Sequence, residues 1–219
     1  MSGINKSLIL HGGLIALLLV LGFVLPPYHH GNLARVMVLA VYAMGYNVLF
    51  GYTGLLSLGH AMFFAAGMYG MGLSIQHLGF SAEAALLSGI VAAFVLSTVV
   101  GLLALRTTGV AFMIVTLMFA QTGYLVILYF GEWTRGDEGF VIQKASRVIA
   151  GFDVSDPANR YMAALILFAI CLALILKLVQ NPFGKVLIAI RENEDRARML
   201  GYDIFRHKLV AVVVSGTIS

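Results

Sequence analysis

The chain has 219 residues, of which 60% are hydrophobic, 11% are charged and 24 are glycine. A soluble domain carries about 25% charged residues, and at a mean hydropathy of +0.95 a water-soluble fold of this size has nowhere to hide its apolar surface. Disordered, collagen-like and disulfide-scaffold classes fail on the same composition, which leaves an all-α, polytopic helical membrane protein. Cys171 is the one cysteine and lies in an apolar run, so neither a disulfide framework nor a cysteine metal cluster is expected. The formal net charge of +4 sits beside apolar runs and reads as a topology signal rather than as nucleic-acid binding.

A bilayer core takes about 20 apolar residues per helix. Six runs reach that length: residues 7–25, stopped by Pro26-Pro27; 33–50; 55–75, rich in Gly and Ala; 82–105; 110–130; and 161–179. A seventh starts near Leu209 and is cut off at Ser219. The expectation is six complete transmembrane helices plus the start of a seventh, in a chain truncated at its C-terminus. Lys6 followed by an apolar run also fits a secretory signal, but Pro-Pro-Tyr-His-His is a poor small-residue cleavage site, and the run is read as a span.

Two breaks between runs are long. Residues 131–160 carry Glu132, Asp137, Glu138, Asp153 and Asp156 against Arg135, Lys144, Arg147 and Arg160. Residues 180–208, with Lys177 at the edge, are richer in Lys and Arg. The positive-inside rule places this second loop in the cytoplasm. Walking back through six spans puts the N-terminus, Lys6 and Arg106 inside as well, and the 131–160 loop outside.

No span interior holds an Asp, Glu, Lys or Arg; Arg35, Glu83 and Arg106 sit at ends. Intramembrane ionisable groups usually mark proton relays or ion sites, and without them a chain that moves solute uphill needs an external energy source. Milder polar residues lie in or beside the spans: Asn47, Ser57, His60, Thr116, Gln121 and Thr122. They serve either as hydrogen bonds between helices, at about 0.6 kcal/mol each, or as the lining of a polar path. The densest unusual segment is 51–61, Gly-Tyr-Thr-Gly-Leu-Leu-Ser-Leu-Gly-His-Ala. Small residues repeat at four-residue spacing as Ser57, Ala61 and Ala65, and as Ala66, Gly70 and Ser74, which lets helix backbones approach closely. Gly51 and Gly54 also suit an irregular turn at the membrane edge, tolerated where it is buried in protein or lines a wet cavity. Ser57 and His60 share a helix face at i and i+3, but no acidic orienter is near in sequence and an intramembrane hydrolase is set aside. The other histidines are scattered, and no metal-ligand spacing occurs.

In the inner loop, Pro182 ends the sixth span and Gly184 permits a tight turn. Val186, Ile190, Ala197 and Leu200 then recur at roughly helical intervals with charges between them, the pattern of an amphipathic helix at the inner surface. Asn193 can cap a helix start, or Glu192 can lie inside one longer helix; Gly201 suits a helix stop. Such a helix either rests on lipid headgroups or docks in a groove of a soluble partner, and its mixed charges favour the partner.

Three stretches resemble the branched-chain amino-acid ABC transporter permeases of the Liv type, particularly the M-type subunit. They are residues 51–64 (Gly-Tyr-Thr-Gly-Leu-Leu-Ser-Leu-Gly-His-Ala-Met-Phe-Phe), residues 105–117 (from Leu-Arg-Thr-Thr-Gly to Val-Thr-Leu), and Asn181-Pro182-Phe183-Gly184-Lys185 through Ala189-Ile190-Arg191-Glu192-Asn193-Glu194 to Ala197-Arg198-Met199-Leu200-Gly201-Tyr202. The resemblance runs from about residue 40 to the end. It implies that residues 1–219 are one permease domain of an ATP-driven importer, and that the inner loop is its coupling helix. The general Glu-Ala-Ala-x-x-x-Gly loop reads here Asp195-Arg196-Ala197-x-x-x-Gly201, with Arg196 in place of the first Ala. The family's outer loop with a Thr-Gly-Gly start corresponds to Thr134-Arg135-Gly136-Asp137, with Arg135 in place of Gly. The family also continues beyond the equivalent of Ser219.

By this resemblance Glu192, Asn193, Glu194, Asp195, Ala197 and Gly201 couple to ATPase subunits. Asn47, Gly54, Ser57, Gly59, His60, Thr116 and Gln121 belong to the translocation path or its packing, and Gly136 and Asp137 to the outer loop. The chain itself binds no cofactor and no metal and catalyses nothing; ATP and Mg sit on the partner subunits. Expected partners are a second permease subunit (as heterodimer or homodimer), two ATP-binding cassette subunits, a periplasmic solute-binding protein and membrane lipid. The expected location is the inner membrane, multi-pass, with the N-terminus cytoplasmic. Leucine, isoleucine and valine, or a related small polar solute, are the implied cargo. The alternative is a stand-alone channel or facilitator for a small neutral solute such as urea or an amide.

Overall fold

The computed structural model describes residues 2–140, 148–149 and 152–219, with side chains from residue 9 onward. Lys144, Arg147 and the side chain of Lys6, all used in the charge reading, lie outside the described residues. The fold is all-α apart from one short hairpin. Helix α1 (Ser2–Val24) is followed by α2 (Pro27–Asn47), which continues through a single π turn (Val48–Tyr52). Then come α3 (Ala61–Leu78), α4 (Ala82–Ala104), α5 (Val110–Tyr129) and the one-turn α6 (Gly131–Thr134). After a 3-10 turn (Gly136–Glu138), strands β1 (Val148–Ile149) and β2 (Phe152–Asp153) pair antiparallel. Four helices close the chain: α7 (Pro157–Gln180), α8 (Pro182–Glu192), α9 (Glu194–Met199) and α10 (Ile204–Ile218).

Local chemistry sets most boundaries. Pro27, Pro157 and Pro182 open α2, α7 and α8 at the first helical position, where the missing N–H costs no bond. Ser81, Asp156 and Asp203 cap α4, α7 and α10 by accepting from the amides of Ala84, Asn159 and Arg206.

Among the described residues, four helices are long and apolar enough to cross a membrane: Pro27–Tyr52, Ala82–Ala104, Val110–Tyr129 and Pro157–Gln180. Helix α3, at 18 residues, and the apolar stretch Ile9–Val24 of α1 stand at two further expected spans, and α10 stands at the seventh. The third expected span starts late. Residues 54–60 leave the helix and α3 begins only at Ala61, so Ser57 precedes the helix and does not share a stripe with Ala61 and Ala65.

Packing joins α3 to α4, α2 to α7, and α10 to both α4 and α2. One core (Met37, Val41, Tyr161, Leu165, Phe168 and Leu172) lies between α2 and α7. A second (Leu49, Phe63, Val100, Phe112 and Val212) ties the π turn to α3, α4, α5 and α10. Between α3 and α4 the backbones nearly touch: a Cβ on Gly89 would lie 2.7 Å from the Gly67 carbonyl oxygen. Ser74 and Ser88 hydroxyls meet at 2.7 Å across the same seam, the close approach that the Gly70–Ser74 spacing predicts. Outward faces are apolar, with Phe23 78%, Leu87 62% and Met118 57% exposed, as suits helices whose outer solvent is lipid.

Candidate functional site: a helix pair against a broken helix

The loop after α7 folds as two helices, α8 and α9, and not one. At Gly184 a Cβ would lie 2.5 Å from the Val179 carbonyl oxygen, so the chain doubles back tightly from α7 into α8. Asn193 is extended (φ −161, ψ 105) and ends α8. Its Oδ1 accepts from the Arg196 amide at 2.8 Å, capping α9. Gly201, at φ +88, ends α9 with two bonds: Gly201 N–H to the Arg198 carbonyl at 3.0 Å and Tyr202 N–H to the Ala197 carbonyl at 3.2 Å. This pairing is the Schellman stop. Glu194 and Asp195 in the first turn of α9 and Arg196 and Arg198 in its last complement the helix dipole.

Ile190, Ala197 and Ile204 form a small core of their own, with Val186 against it. Ala197 is therefore buried within the chain and supports the surface that others present. Lys208, 7% exposed, donates from Nζ to Glu194 Oε1 and ties α9 to α10. Leu200 departs from the sequence reading. It is not on the buried face, because α9 ends at Met199 and Leu200 is the cap residue. Met199 and Leu200 are 87% and 70% exposed, and the exposed Asp195 and Glu192 flank them.

Above this pair lies the break between α2 and α3. The Thr53 hydroxyl donates to the Leu49 carbonyl, and Gly54 turns the chain at φ +72. Tyr46 Oη donates to the Ser57 carbonyl at 3.2 Å. The Leu58 amide donates to Thr116 Oγ1 at 3.2 Å, pinning the break to α5. A Cβ on Gly59 would lie 1.9 Å from the Thr116 carbonyl oxygen, so only glycine fits. His60 is 2% exposed. Its Nε2 faces Ser219 Oγ at 2.9 Å and Ser215 Oγ at 3.3 Å, and Ser215 in turn donates to the Gly45 carbonyl at 2.6 Å. Tyr42, Tyr46 and Phe63 surround the imidazole, with ring centroids 4.9–5.7 Å away. His60 Nδ1 and Ser57 Oγ are buried without a hydrogen-bond partner among the described residues.

The structure thus brings Gly54, Ser57, Gly59, His60 and Thr116 together at one break. Asn47, exposed at the end of α2, lies against Gly51 of the π turn, where a Cβ would meet its Oδ1 at 2.2 Å; Gln121 is exposed on α5. Sequence reasoning missed Tyr42, Tyr46, Gly45, Ser215 and Arg191. Tyr42 and Tyr46 carry an i, i+4 signal on α2 and Gly45 lies between them, while Ser215 and Arg191 meet the break from far away in sequence.

At the outer end, a cleft of about 470 Å³ is lined by Leu73, Val126, Phe130, Trp133 and Thr134. Its one hydroxyl, Thr134 Oγ1, already donates to the Ile127 and Phe130 carbonyls, at 2.6 and 2.9 Å.

A family model described as the permease component of the branched-chain amino acid transport system matches residues 30–219. The chain belongs to that family. Two relatives are the high-affinity branched-chain amino acid transport system permease proteins LivM of Salmonella typhimurium and Escherichia coli. Each is 30% identical over 203 residues, covering 82% of this chain and 47% of the relative. The chain spans about half the length of these curated relatives. No solved structure matches it significantly.

Membership makes two departures from the family pattern legible. Within Asp195-Arg196-Ala197-x-x-x-Gly201, Ala197 is buried and Gly201 is left-handed, while Arg196 is exposed. Arg135, at the position where the resemblance expects a glycine, adopts a left-handed conformation, at φ 59. The left-handed region costs a non-glycine residue about 1–2 kcal/mol. Asp137 receives a long bond from Tyr124 Oη at 3.4 Å, and Gly136 N–H donates to Thr134 Oγ1 at 3.2 Å.

Proposed function

We propose that this chain is part of the membrane-spanning subunit of an ATP-driven importer for branched-chain amino acids. Its six spans and the start of a seventh cross the inner membrane with the N-terminus in the cytoplasm. A second permease subunit completes the pore. Two ATP-binding cassette subunits, carrying ATP and Mg, dock on residues 192–201. A periplasmic binding protein delivers leucine, isoleucine or valine near Gly136 and Asp137. The chain moves solute and catalyses no covalent step.

The observation that carries this reading is the α8–α9 unit. Met199 and Leu200, two large apolar side chains, are 87% and 70% exposed at the end of α9, between Gly201 and the Glu192–Asp195 stretch in sequence. An exposed apolar pair at a capped helix end supports docking in a groove of a partner. Nothing comparable is needed by a channel that works alone.

In alternating access, ATP binding closes the ATPase pair, moves both docked loops and turns the pore outward; hydrolysis resets it. The bias comes from contacts that differ between the two states. Ser57, His60 and Thr116 contribute polar lining where the helix is broken, as transport sites commonly are. Gly54 and Gly59 serve turn and packing, and Asn47 and Gln121 face the pore or the second subunit.

Purification of the tagged full complex tests this. Stoichiometric recovery of an ATP-binding subunit, with uptake of labelled leucine that stops without ATP, is the expected result. Uptake that persists without ATP establishes the facilitator instead, and unchanged leucine uptake in cells lacking the gene removes the substrate.

A further inference from the structure

Arg191, the next-to-last residue of α8, is the side chain that reaches from the cytoplasmic unit to the break. Its Nη1 donates to the Gly51 carbonyl at 2.5 Å. Its stem lies against Gly54, where a Cβ would come within 2.9 Å of Arg191 Cγ. Nη2 holds Glu192 Oε1 at 2.7 Å, which fixes the plane of the guanidinium. One residue earlier, Ile190 is fully buried, so the backbone carrying this side chain is held by the loop's own core.

We propose that Arg191 is the positioning residue through which motion of the α8–α9 unit reaches the break that holds Ser57 and His60; this rests on the coupling function above. Three physical points favour it. The segment it grips is irregular, a π turn followed by a left-handed glycine, a departure from regular helix of the kind often found at functional sites. The grip is directional, since a planar fork bonds a carbonyl and a carboxylate at once while an ammonium is a point charge. Finally, the Arg191 side chain is 43% exposed, and ion pairs at such sites add little stability. Its job is therefore not to hold the fold together. The other tether, Lys208 to Glu194, runs to α10. Arg191 thus supplies a separate path from the docking unit to the break, and coupling needs such a physically connected element.

The test uses the complete transporter in proteoliposomes, measuring labelled leucine uptake and ATP hydrolysis on the same sample. Arg191→Met keeps the stem on Gly54 and removes the donor. It is expected to leave ATP hydrolysis and subunit composition within about twofold and to lower leucine moved per ATP about tenfold, within the range of typical coupling energies. Arg191→Lys is expected to recover part of that ratio. Arg206→Ala, at a residue whose ion pair is local to α10, is expected to leave it unchanged. An unchanged ratio in Arg191→Met, or uptake and hydrolysis falling together, overturns the proposal. If Arg191→Met does not assemble, Arg191→Lys decides: a wild-type ratio overturns it. Failure of the coupling function itself shows separately, as an unsubstituted complex without an ATPase subunit or without ATP-dependent uptake.

Discussion

Lys208 donates its ammonium to the carboxylate of Glu194, and the two ends of this bond are unequal: the Lys208 side chain is 9% exposed and that of Glu194 43%. The pair closes the loop that begins with α9 and ends with α10, and it holds the acidic first turn of α9 over the membrane domain. The inequality makes a directional prediction. Glu194→Ala leaves a buried ammonium without its partner, at a cost of about 1–3 kcal/mol. Lys208→Met leaves only a half-exposed carboxylate, which water can serve, and costs less than about 1 kcal/mol. Thermal unfolding of the purified protein in detergent checks the order; equal losses contradict it.

Gly59 and Gly123 make a second pair. A Cβ on Gly59 runs into the Thr116 backbone at 1.9 Å, while one on Gly123 meets nothing within 4 Å. Backbone cannot yield as a side chain tip does, so Gly59→Ala costs at least the roughly 1–3 kcal/mol of an overpacked core. Gly123→Ala, inside α5, gains up to about 1 kcal/mol of helix propensity. Yield of monodisperse protein and thermal midpoint are the readouts.

Arg135 occupies a left-handed conformation that glycine adopts without steric cost. Arg135→Gly therefore removes a penalty of about 1–2 kcal/mol and adds back part of it as chain entropy, about 0.5–1 kcal/mol. The substitution is expected to leave stability unchanged or raise it slightly, measured by the same melting curve. A clear loss assigns Arg135 a contact beyond its backbone role.

Leu200→Asp places a charge on the apolar knob of α9. If the knob seats in an ATPase groove, burial of a leucine is worth about 1.5–3 kcal/mol, and recovery of the ATP-binding subunit falls at least about tenfold. The fold itself is expected to stay intact, because Leu200 is 70% exposed. Circular dichroism separates the two effects.

Short-range chemistry was legible in the sequence, and long-range contact was not. Asn193 as a cap and Gly201 as a stop were readable because each bonds atoms within four or five residues. Pro27 and Pro182 were readable as ends of the runs before them; that they and Pro157 also open the next helices shows only in the structure. Leu200 misled because its interval continues a helix that Gly201 has already ended. The apolar run from residue 55 reads as membrane helix, yet Gly54 and Gly59 hold its first residues out of one. The reason for Gly59 is the Thr116 backbone, 57 positions away in the chain. The bond from Ser215 to Gly45 and the reach of Arg191 to Gly51 have no local signature at all, so the environment of His60 became visible only in three dimensions.

The central claim is that the tip of α9 faces the cytoplasm and seats on an ATP-binding subunit. Met199→Cys, at a side chain 87% exposed and distinct from the buried Cys171, places a probe at that tip in the full complex in native membranes. A reagent with one thiol-reactive end and one photoreactive end, attached at this cysteine, is predicted on illumination to cross-link it to the ATP-binding subunit. Labelling only from the periplasmic side, with no such cross-link, contradicts the account.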